Sequence, residues 1–482
     1  MRRKAFRIAL VGVTALLLVI VALHIVIGRA ARLDPPQIEV PQSGVRQVSP
    51  SLRRFGSSYA ARRGKLLEVG LSGTPEQIGY AHARLLYEPM VENEGILFGR
   101  FREQVSFAPA RWLLLDLAQW RYRDVDRGMS SERRREIAAG ARGFRPDPYA
   151  DIFPTFQRFV YLNALYDISL SFEHSPLIGC TSLAVSGDVR EAGHTLLARA
   201  FDFEVDDVFD ERKAVFFVRE AGRIPFVSVA WPGLVGVVSG MNVEGLALVV
   251  HGGRAGEPRA RGEPVVHALR RVLSSARTTE EAIGAFAEHD PLVSHIVVAA
   301  DARGQLARIE RIPDRPVHAV RLGQRAAVTN HFEGPGADDA KNARVRERTS
   351  TLPRRARADE LLKQHTGGID VAAAVSMLRD RRAASGERLE LGDRRAIDAL
   401  IATHGVVFDT TARTLWVSES PHLLGRFVAF DVRQHLAASY DPASPLVFRS
   451  IPEDPLLSSG EYARFERART GDRGSEARTA PR

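Results

Sequence analysis

One residue among 482 carries a thiol, and its neighbours bear on what that thiol is for. Cys180 follows Gly179 in Leu177-Ile178-Gly179-Cys180-Thr181-Ser182. Glycine tolerates strained backbone and lets a thiol approach the preceding carbonyl, as an N-to-S acyl shift requires. Opening the chain there would give Cys180 an α-amine with an ordinary pKa of about 7.7–8.0, a base suited to neutral pH. Nucleophile and general base would then share one residue. No separate histidine is needed, and His174, His194, His251, His295 and His331 show no evident pairing with the cysteine. The bland alternative is a buried thiol at a strand start, a common use of cysteine.

Partners for the thiol come from the next strand. The turn Gly187-Asp188-Val189-Arg190-Glu191-Ala192-Gly193 centres near Arg190. A hairpin folded there predicts Cys180 opposite Ala200, with Arg199 and Asp202 flanking it. A guanidinium favours thiolate over thiol, and a carboxylate can orient an amine or the arginine. Residues three apart on a regular strand face opposite sides. Both reach Cys180 only if the strand ends or bulges near Phe201; otherwise they read as a surface ion pair. An acyl transfer also needs donors for its oxyanion. The side-chain amides to consider are Asn242, in Ser239-Gly240-Met241-Asn242-Val243-Glu244-Gly245, and Asn330, in Val328-Thr329-Asn330-His331-Phe332. Either also suits a turn. There is no His-Glu-x-x-His pattern or cysteine cluster, so neither metal nor cofactor is implied.

The elements that must hold these residues change texture along the chain. Residues 74–175 read as mainly helical. Thr74-Pro75-Glu76-Gln77 is a capped start with proline at the first helical position. Ser130-Ser131-Glu132 is another, and Ile152–Leu170 is a further apolar helix. From Cys180 onward short β-runs dominate, with strands expected only after residue 175. Helices are expected at Val265–His289, Arg354–His365, Asp370–Arg381 and Asp393–Thr403. Strands in two groups with helices between and after predict a layered α+β domain with mostly antiparallel sheets.

The ends speak to compartment. Arg2, Arg3, Lys4 and Arg7 precede an apolar run from Ile8 to Ile27. About 20 such residues span a hydrocarbon core of roughly 30 Å. Gly28-Arg29-Ala30-Ala31 is a poor cut site, so a retained signal anchor is expected, with the rest outside the cytoplasm. A cleaved, secreted form is the alternative. An exported chain with one cysteine has no internal disulfide to make. The net charge of +9, from 67 Lys+Arg against 58 Asp+Glu, is scattered among acids and forms no basic helix with stacking aromatics. Nucleic acid is thereby excluded as a partner, and anionic lipid accounts for some of the excess. The expected layout is an anchor at 1–32, a linker at 33–64, a helical propeptide segment at 65–179, a catalytic segment at 180–455 and a disordered basic tail at 456–482.

Taken in order, Gly-Cys-Thr-Ser, Arg199-x-x-Asp202, Gly-Met-Asn-x-x-Gly and Thr-Asn-His-Phe resemble the penicillin acyltransferase-like N-terminal-nucleophile (Ntn) hydrolases. Acid ceramidases and conjugated bile acid hydrolases are more distant relatives. Leu71–Tyr80 looks like the family's propeptide helix start. The resemblance spans roughly residues 65–435. It implies a four-layer αββα sandwich, self-cleavage between Gly179 and Cys180, and hydrolysis or transfer of an amide-linked acyl group, with both cleaved segments staying associated. It also implies Cys180 as nucleophile, Arg199 and Asp202 as its paired Arg and Asp, and Asn242 and Asn330 as oxyanion and amine-binding asparagines. Arg354, four residues after Ser350, matches a later family arginine, although Arg344, Arg346, Arg348, Arg355 and Arg357 crowd the same stretch and Pro353 is unexpected in a helix unless at its first position. The substrate expected is a small-molecule or lipid N-acyl amide, and hydrolysis is favoured because water needs no acceptor pocket. The rivals are an uncut binding or scaffold protein on the same fold, and a structural protein using its thiol between chains.

Overall fold

The computed structural model describes residues 2–171, 178–187, 193–203, 206–444 and 449–469. Its centre is two sheets stacked face to face. One has eleven strands and the other seven, the latter in the order Arg325–Val328, Ile178–Ser186, Thr195–Phe203, Ala402–Asp409, Thr414–Ser418, Phe427–Asp431 and Ser450–Ile451. Neighbours pair antiparallel except Leu66–Gly73 with Ala214–Glu220, which run parallel. Three apolar cores separate four layers. Phe217, Phe408, Phe430 and Val298 fill the space between the sheets. A second core joins the outer face of the larger sheet to the helices of residues 75–171 and 265–287. A third joins the smaller sheet to helices Thr351–Gln364 and Val371–Leu378. Alternate residues of each strand feed different cores, so β-periodicity alone builds the stack. The expected αββα layering follows from these three cores.

Local signals act as read. Thr74 accepts from the Gln77 backbone, and the Gln77 side chain closes the box on the Thr74 N–H at 2.9 Å. Such caps contribute about 1 kcal/mol. Ser130 caps the helix Ser131–Gly143 by accepting from the Arg133 N–H at 3.3 Å.

Three expectations are corrected. The linker at 33–64 instead contains strands Arg46–Ser49, Leu52–Phe55 and Ser58–Arg63, which extend the larger sheet, followed by Leu66–Gly73. Strands therefore precede residue 175. Their alternation is masked by arginines such as Arg53 and Arg54, half-buried and paired with Glu88 and Asp441, and by the exposed Arg62. Asp393–Thr403 is not a helix. Asp398 instead accepts from Arg381 and from the Leu400 N–H, and Leu400 has φ 55°, outside the helical range. The tail is ordered as far as residue 469. Tyr462 and Phe465 lie against Leu400, Leu424 and Leu456, and Arg469 pairs with Asp207 at 2.6 Å. Residues 470–482 lie outside the described residues.

Helix Arg2–Ala30 is joined to helix Ala108–Arg121 through His24 and Asp116 at 2.8 Å. Among the described residues no helix is long and apolar enough to cross a membrane. The expected spanning run, residues 8–27, includes side chains outside the described residues.

Candidate active site

Strand Ile178–Ser186 divides the chemistry by its period of two. Cys180 and Ser182 face the space between the sheets, whereas Gly179 and Thr181 face helix Thr351–Gln364. The register is one residue from the expected one: Cys180 lies opposite Phe201, Gly179 opposite Asp202 and Ser182 opposite Arg199. Turn residues 188–192 lie outside the described residues. The shift brings Arg199 to the thiol side and sends Asp202 to the other. The partner strand Ala402–Asp409 does bulge at Ala402/His404, beside Asp202, but this does not bring the two onto one face.

On the thiol side Arg199 is fully buried. It donates to Cys180 Sγ at 3.2 Å and to the Val250 carbonyl from one nitrogen, and to the Val238 carbonyl at 2.7 Å and Ser239 Oγ at 2.5 Å from the other. Its guanidinium lies 4.2 Å from the centre of the Phe201 ring. No carboxylate pairs with it among the described residues. A buried cation without a counter-charge is costly, and a thiolate would supply one. Two histidines stand nearby. Ser182 Oγ meets His251 Nε2 at 2.8 Å, and Ser239 Oγ meets His404 Nε2 at 3.0 Å. Burial, then the Arg199 charge, pushes both imidazoles well below their ordinary pKa. Each stays neutral and bonds a serine, not the thiol.

On the other side the backbone at Cys180 is gripped. Its N–H donates to Asn330 Oδ1 at 2.8 Å, and its carbonyl accepts from Arg354 at 2.5 Å. Arg354 also donates to Thr181 Oγ1 at 2.8 Å, to Asn330 Oδ1 at 2.9 Å and to Ser350 Oγ at 3.2 Å. Asn330 Nδ2 donates to the Gly252 carbonyl at 3.0 Å, so its partners fix the orientation of its amide. Pro353 sits third in helix Thr351–Gln364, where its missing N–H has no intrahelical bond to lose. Proline is therefore tolerated there, and the Arg354 N–H takes the Ser350 carbonyl.

Asp202 is buried, and burial raises its carboxyl to about 6 against the pull of Arg354 and Arg394. Its Oδ1 has no hydrogen-bond partner among the described residues. Gly179 fits closely beside it, and a Cβ there would stand 3.0 Å from Asp202 Oδ2. Asn242 is not brought to the site. Its amide nitrogen donates to the Leu273 and Ala276 carbonyls at 2.9 and 2.7 Å, and its oxygen accepts from Glu244 and Leu246. All its capacity is spent on its own turn and on the chain at Leu273–Ala276, which corrects the expectation of an oxyanion role.

Sequence reasoning missed Ser182, Ser239, His404 and Tyr166. Ser182 was findable, since it lies two residues from Cys180 on one strand face. The other three come from distant segments, and nothing local marks them. Burial and then Cys180 push the Tyr166 phenol well above its ordinary pKa. Two cavities lie against neighbours of the cysteine, one against Phe201 and one against Gly179. An apolar one of about 100 Å³ is lined by Phe159, Leu162, Tyr166, Phe201, Trp231 and Val238. A polar one of about 260 Å³ is lined by Gly179, Asp202, Asn330 and Arg354. Ser169 lines both.

Comparison with known proteins agrees with the resemblance read from the motifs. Residues 189–419, just under half of the chain, match the family acyl-coenzyme A:6-aminopenicillanic acid acyl-transferase. The match begins past Cys180 and contains Arg199, Asp202, Asn242, Asn330 and Arg354. No curated protein matches. Among solved structures, a Caenorhabditis elegans N-acylethanolamine-hydrolyzing acid amidase ortholog is 14% identical over 48% of this chain and 93% of its own, with a TM-score of 0.36. A conjugated bile acid hydrolase from Clostridium perfringens is 11% identical over 57% and 97%, with a TM-score of 0.35. Penicillin V acylase from Agrobacterium tumefaciens is 17% identical over 50% and 83%, with a TM-score of 0.31.

Proposed function

We propose that this chain is an autoprocessing cysteine Ntn amide hydrolase that opens at Gly179–Cys180 and then cleaves N-acyl amides through Cys180. One observation carries the reading: three groups from three segments converge on a single residue. Arg199 meets its thiol, Asn330 its N–H and Arg354 its carbonyl. A buried structural cysteine needs none of these.

In maturation the Cys180 sulfur adds to the Gly179 carbonyl carbon, the Gly179–Cys180 C–N bond breaks, and the nitrogen takes a proton to become the α-amine. Water then hydrolyses the thioester, leaving a Gly179 carboxylate and a free thiol. In turnover the thiolate attacks the substrate carbonyl, the C–N bond breaks, and the amine departs with a proton passed by the Cys180 α-amine. Water cleaves the acyl-enzyme and releases the acid. Arg199 holds the sulfur, Arg354 and Asn330 hold the backbone either side of it, and the orphan oxygen of Asp202 can accept from the new α-ammonium. Asn330 is the side-chain amide offered to the oxyanion. Strand Leu66–Gly73 shares a sheet with Ala214–Glu220, which supports the two cleaved segments remaining together.

The N-terminal helix is proposed as a membrane anchor that leaves the catalytic part outside the cytoplasm. Support comes from the basic residues at its start, Arg2, Arg3, Lys4 and Arg7, and from Leu18, Val19, Val21 and Leu23, each more than half exposed. Intact-mass measurement of purified protein tests the core claim. A fragment beginning at Cys180 is expected from the native chain and none from Cys180→Ala. A native chain still whole after prolonged incubation under native conditions overturns it.

A further inference from the structure

Away from the catalytic strands, exposed apolar surface is concentrated in one place. Among the described residues the large apolar side chains open to solvent lie on helix Arg2–Ala30 and on helix Ala108–Arg121 with its preceding Phe107, the exceptions being Val48 and Leu352. A surface helix ordinarily turns its polar face outward. Helix Ala108–Arg121 does the reverse. Its two buried residues are Asp116 and Gln119, whereas Trp112 is 64% exposed and Leu113, Leu117 and Trp120 are exposed with it. Leu113, Leu117 and Trp120, four and three residues apart, form one stripe along the helix. The stripe runs on into the N-terminal helix. Trp112 stacks on the His24 ring with centroids 6.3 Å apart, and His24 Nδ1 meets Asp116 at 2.8 Å, so the carboxylate between the two helices is paired. From Leu18 to Val26 every residue of the N-terminal helix is exposed. His24 lies about 4.5 Å along a helix axis before the end of the apolar run at Ile27.

We propose that helix Ala108–Arg121 is a second membrane contact, lying in the interface of the bilayer with Trp112, Leu113, Leu117 and Trp120 among the lipid. It goes beyond the anchor proposed above, whose membrane it shares, and it is independent of the hydrolase chemistry. A contiguous apolar surface of this kind marks a place of contact, and the neighbouring groups select lipid over a second copy of the chain. An interfacial helix sinks its apolar face about 5–10 Å into the boundary between headgroups and acyl chains, and the join at His24 sets this helix just short of where the apolar run ends. Tryptophan favours that level, where its ring is apolar and its N–H stays wet. Arg123 lies over the Trp120 ring, 4.3 Å from its centre, and is itself exposed, so its charge stays with the headgroups while the ring is immersed. A protein partner would have to sheath the stripe and also an N-terminal helix exposed on every side. A bilayer covers both at once.

The test uses the full chain reconstituted into phosphatidylcholine vesicles and recovered by flotation, with bromine carried by the lipid either near the headgroup or near the chain end. Tryptophan emission is read with bromolipid and with aqueous iodide. The double variant Trp112→Phe/Trp120→Phe leaves the buried Trp231 and Trp416 as background. The expected result is loss of the Trp112 and Trp120 emission to bromolipid, greater for bromine near the headgroup, with protection from iodide. Leu113→Ser/Leu117→Ser changes exposed side chains alone, so its melting temperature should hold while bromolipid quenching falls and iodide quenching rises. A chain that floats with the vesicles but whose two tryptophans are reached by iodide alone overturns the second contact and leaves the anchor standing. Stronger quenching by bromine at the chain end puts the helix in the bilayer core and overturns its interfacial placement. Protection from both quenchers assigns the face to protein, a second copy included, and overturns the contact too. A chain that does not float overturns the anchor and this contact together, and self-cleavage bears on neither.

Discussion

The two faces of strand Ile178–Ser186 handle polar groups in opposite ways. Facing the other sheet, one cation stands among neutral partners: Arg199 with a thiol, a serine, two carbonyls and an aromatic ring, flanked by histidines that burial keeps uncharged. Facing the helices, charges meet directly: Arg354 and Arg394 act on Asp202, and every polar atom of the backbone at Cys180 has a side-chain partner. The thiol therefore sits in the dry half, where an electrostatic contact is strongest. The bond to be broken is held from the charged half. A single β-strand separates them because its side chains alternate.

Comparing Arg354→Gln with Arg199→Gln tests that division most severely. Arg354 fixes the Cys180 carbonyl, Thr181 and Asn330 at once. Its loss should slow self-cleavage by about 10²–10³-fold, the usual consequence of deleting a preorganised donor. Arg199→Gln keeps one amide donor for the sulfur and should cost about tenfold less. Cleavage half-lives by gel, with melting temperatures to exclude unfolding, decide the matter. Equal losses in two folded variants would make the thiol face and the backbone face one unit.

The asparagines come next in size. Asn242→Ala removes four buried hydrogen bonds, two within its turn and two to the carbonyls of Leu273 and Ala276, and should destabilise the fold by about 2–4 kcal/mol, while the folded fraction cuts itself at the native rate. Asn330→Ala should do the reverse, slowing cleavage by about 10–100-fold with a smaller loss of stability. Urea unfolding and cleavage time courses separate the two. A slow but stable Asn242→Ala would restore the role expected from its motif.

That pair shows how far the sequence could be read. Gly-Met-Asn-x-x-Gly and Thr-Asn-His-Phe are equally suggestive as strings, and each asparagine follows a strand. Only tertiary placement separates them: Asn330 lies two residues past edge strand Arg325–Val328, which pairs with Cys180's own strand, whereas Asn242 ends a strand of the other sheet. Most strands and the capped helices were legible because their periodicity and caps are local. The Arg-rich strands at 46–63 were not, since arginine reads as polar while its stem covers a sheet. Register was legible to within one residue. That single step decides which face each side chain takes, and it is why Arg199 and not Asp202 shares the face of the thiol.

Asp202→Asn probes the charged face by pH. In the folded chain the carboxyl titrates at about 6, above its ordinary 3.8. The folded state thus keeps a proton that the unfolded chain releases, so stability falls as pH rises from about 4 to 6 and then levels. If the ionised form steadies Arg354 and receives the α-ammonium, cleavage runs the opposite way and rises to a plateau above pH 6. Asp202→Asn should flatten both profiles and lower the plateau rate several-fold. A rate profile that keeps its midpoint near 6 in the variant assigns the titration to another group.

The smallest effect belongs to the residue beside the bond itself. Gly179→Ala puts a Cβ 3.0 Å from Asp202 Oδ2 and 3.2 Å from its Cβ, closer than ordinary contact, so strand or carboxylate must give by a few tenths of an ångström. Gly179 has no left-handed backbone to protect; its need for glycine is steric and comes from across the strand pair. Cleavage should slow by a few-fold, about the 1 kcal/mol of a modest overpacking strain. Combining it with Asp202→Ala, which removes the nearest obstructing oxygen and leaves only the Cβ contact at 3.2 Å, should recover most of the Gly179→Ala share of the loss, leaving the double variant little slower than Asp202→Ala alone. If the double variant is instead slower by the full product, the glycine serves the acyl shift through its own backbone freedom, and the charged face has no part in choosing it.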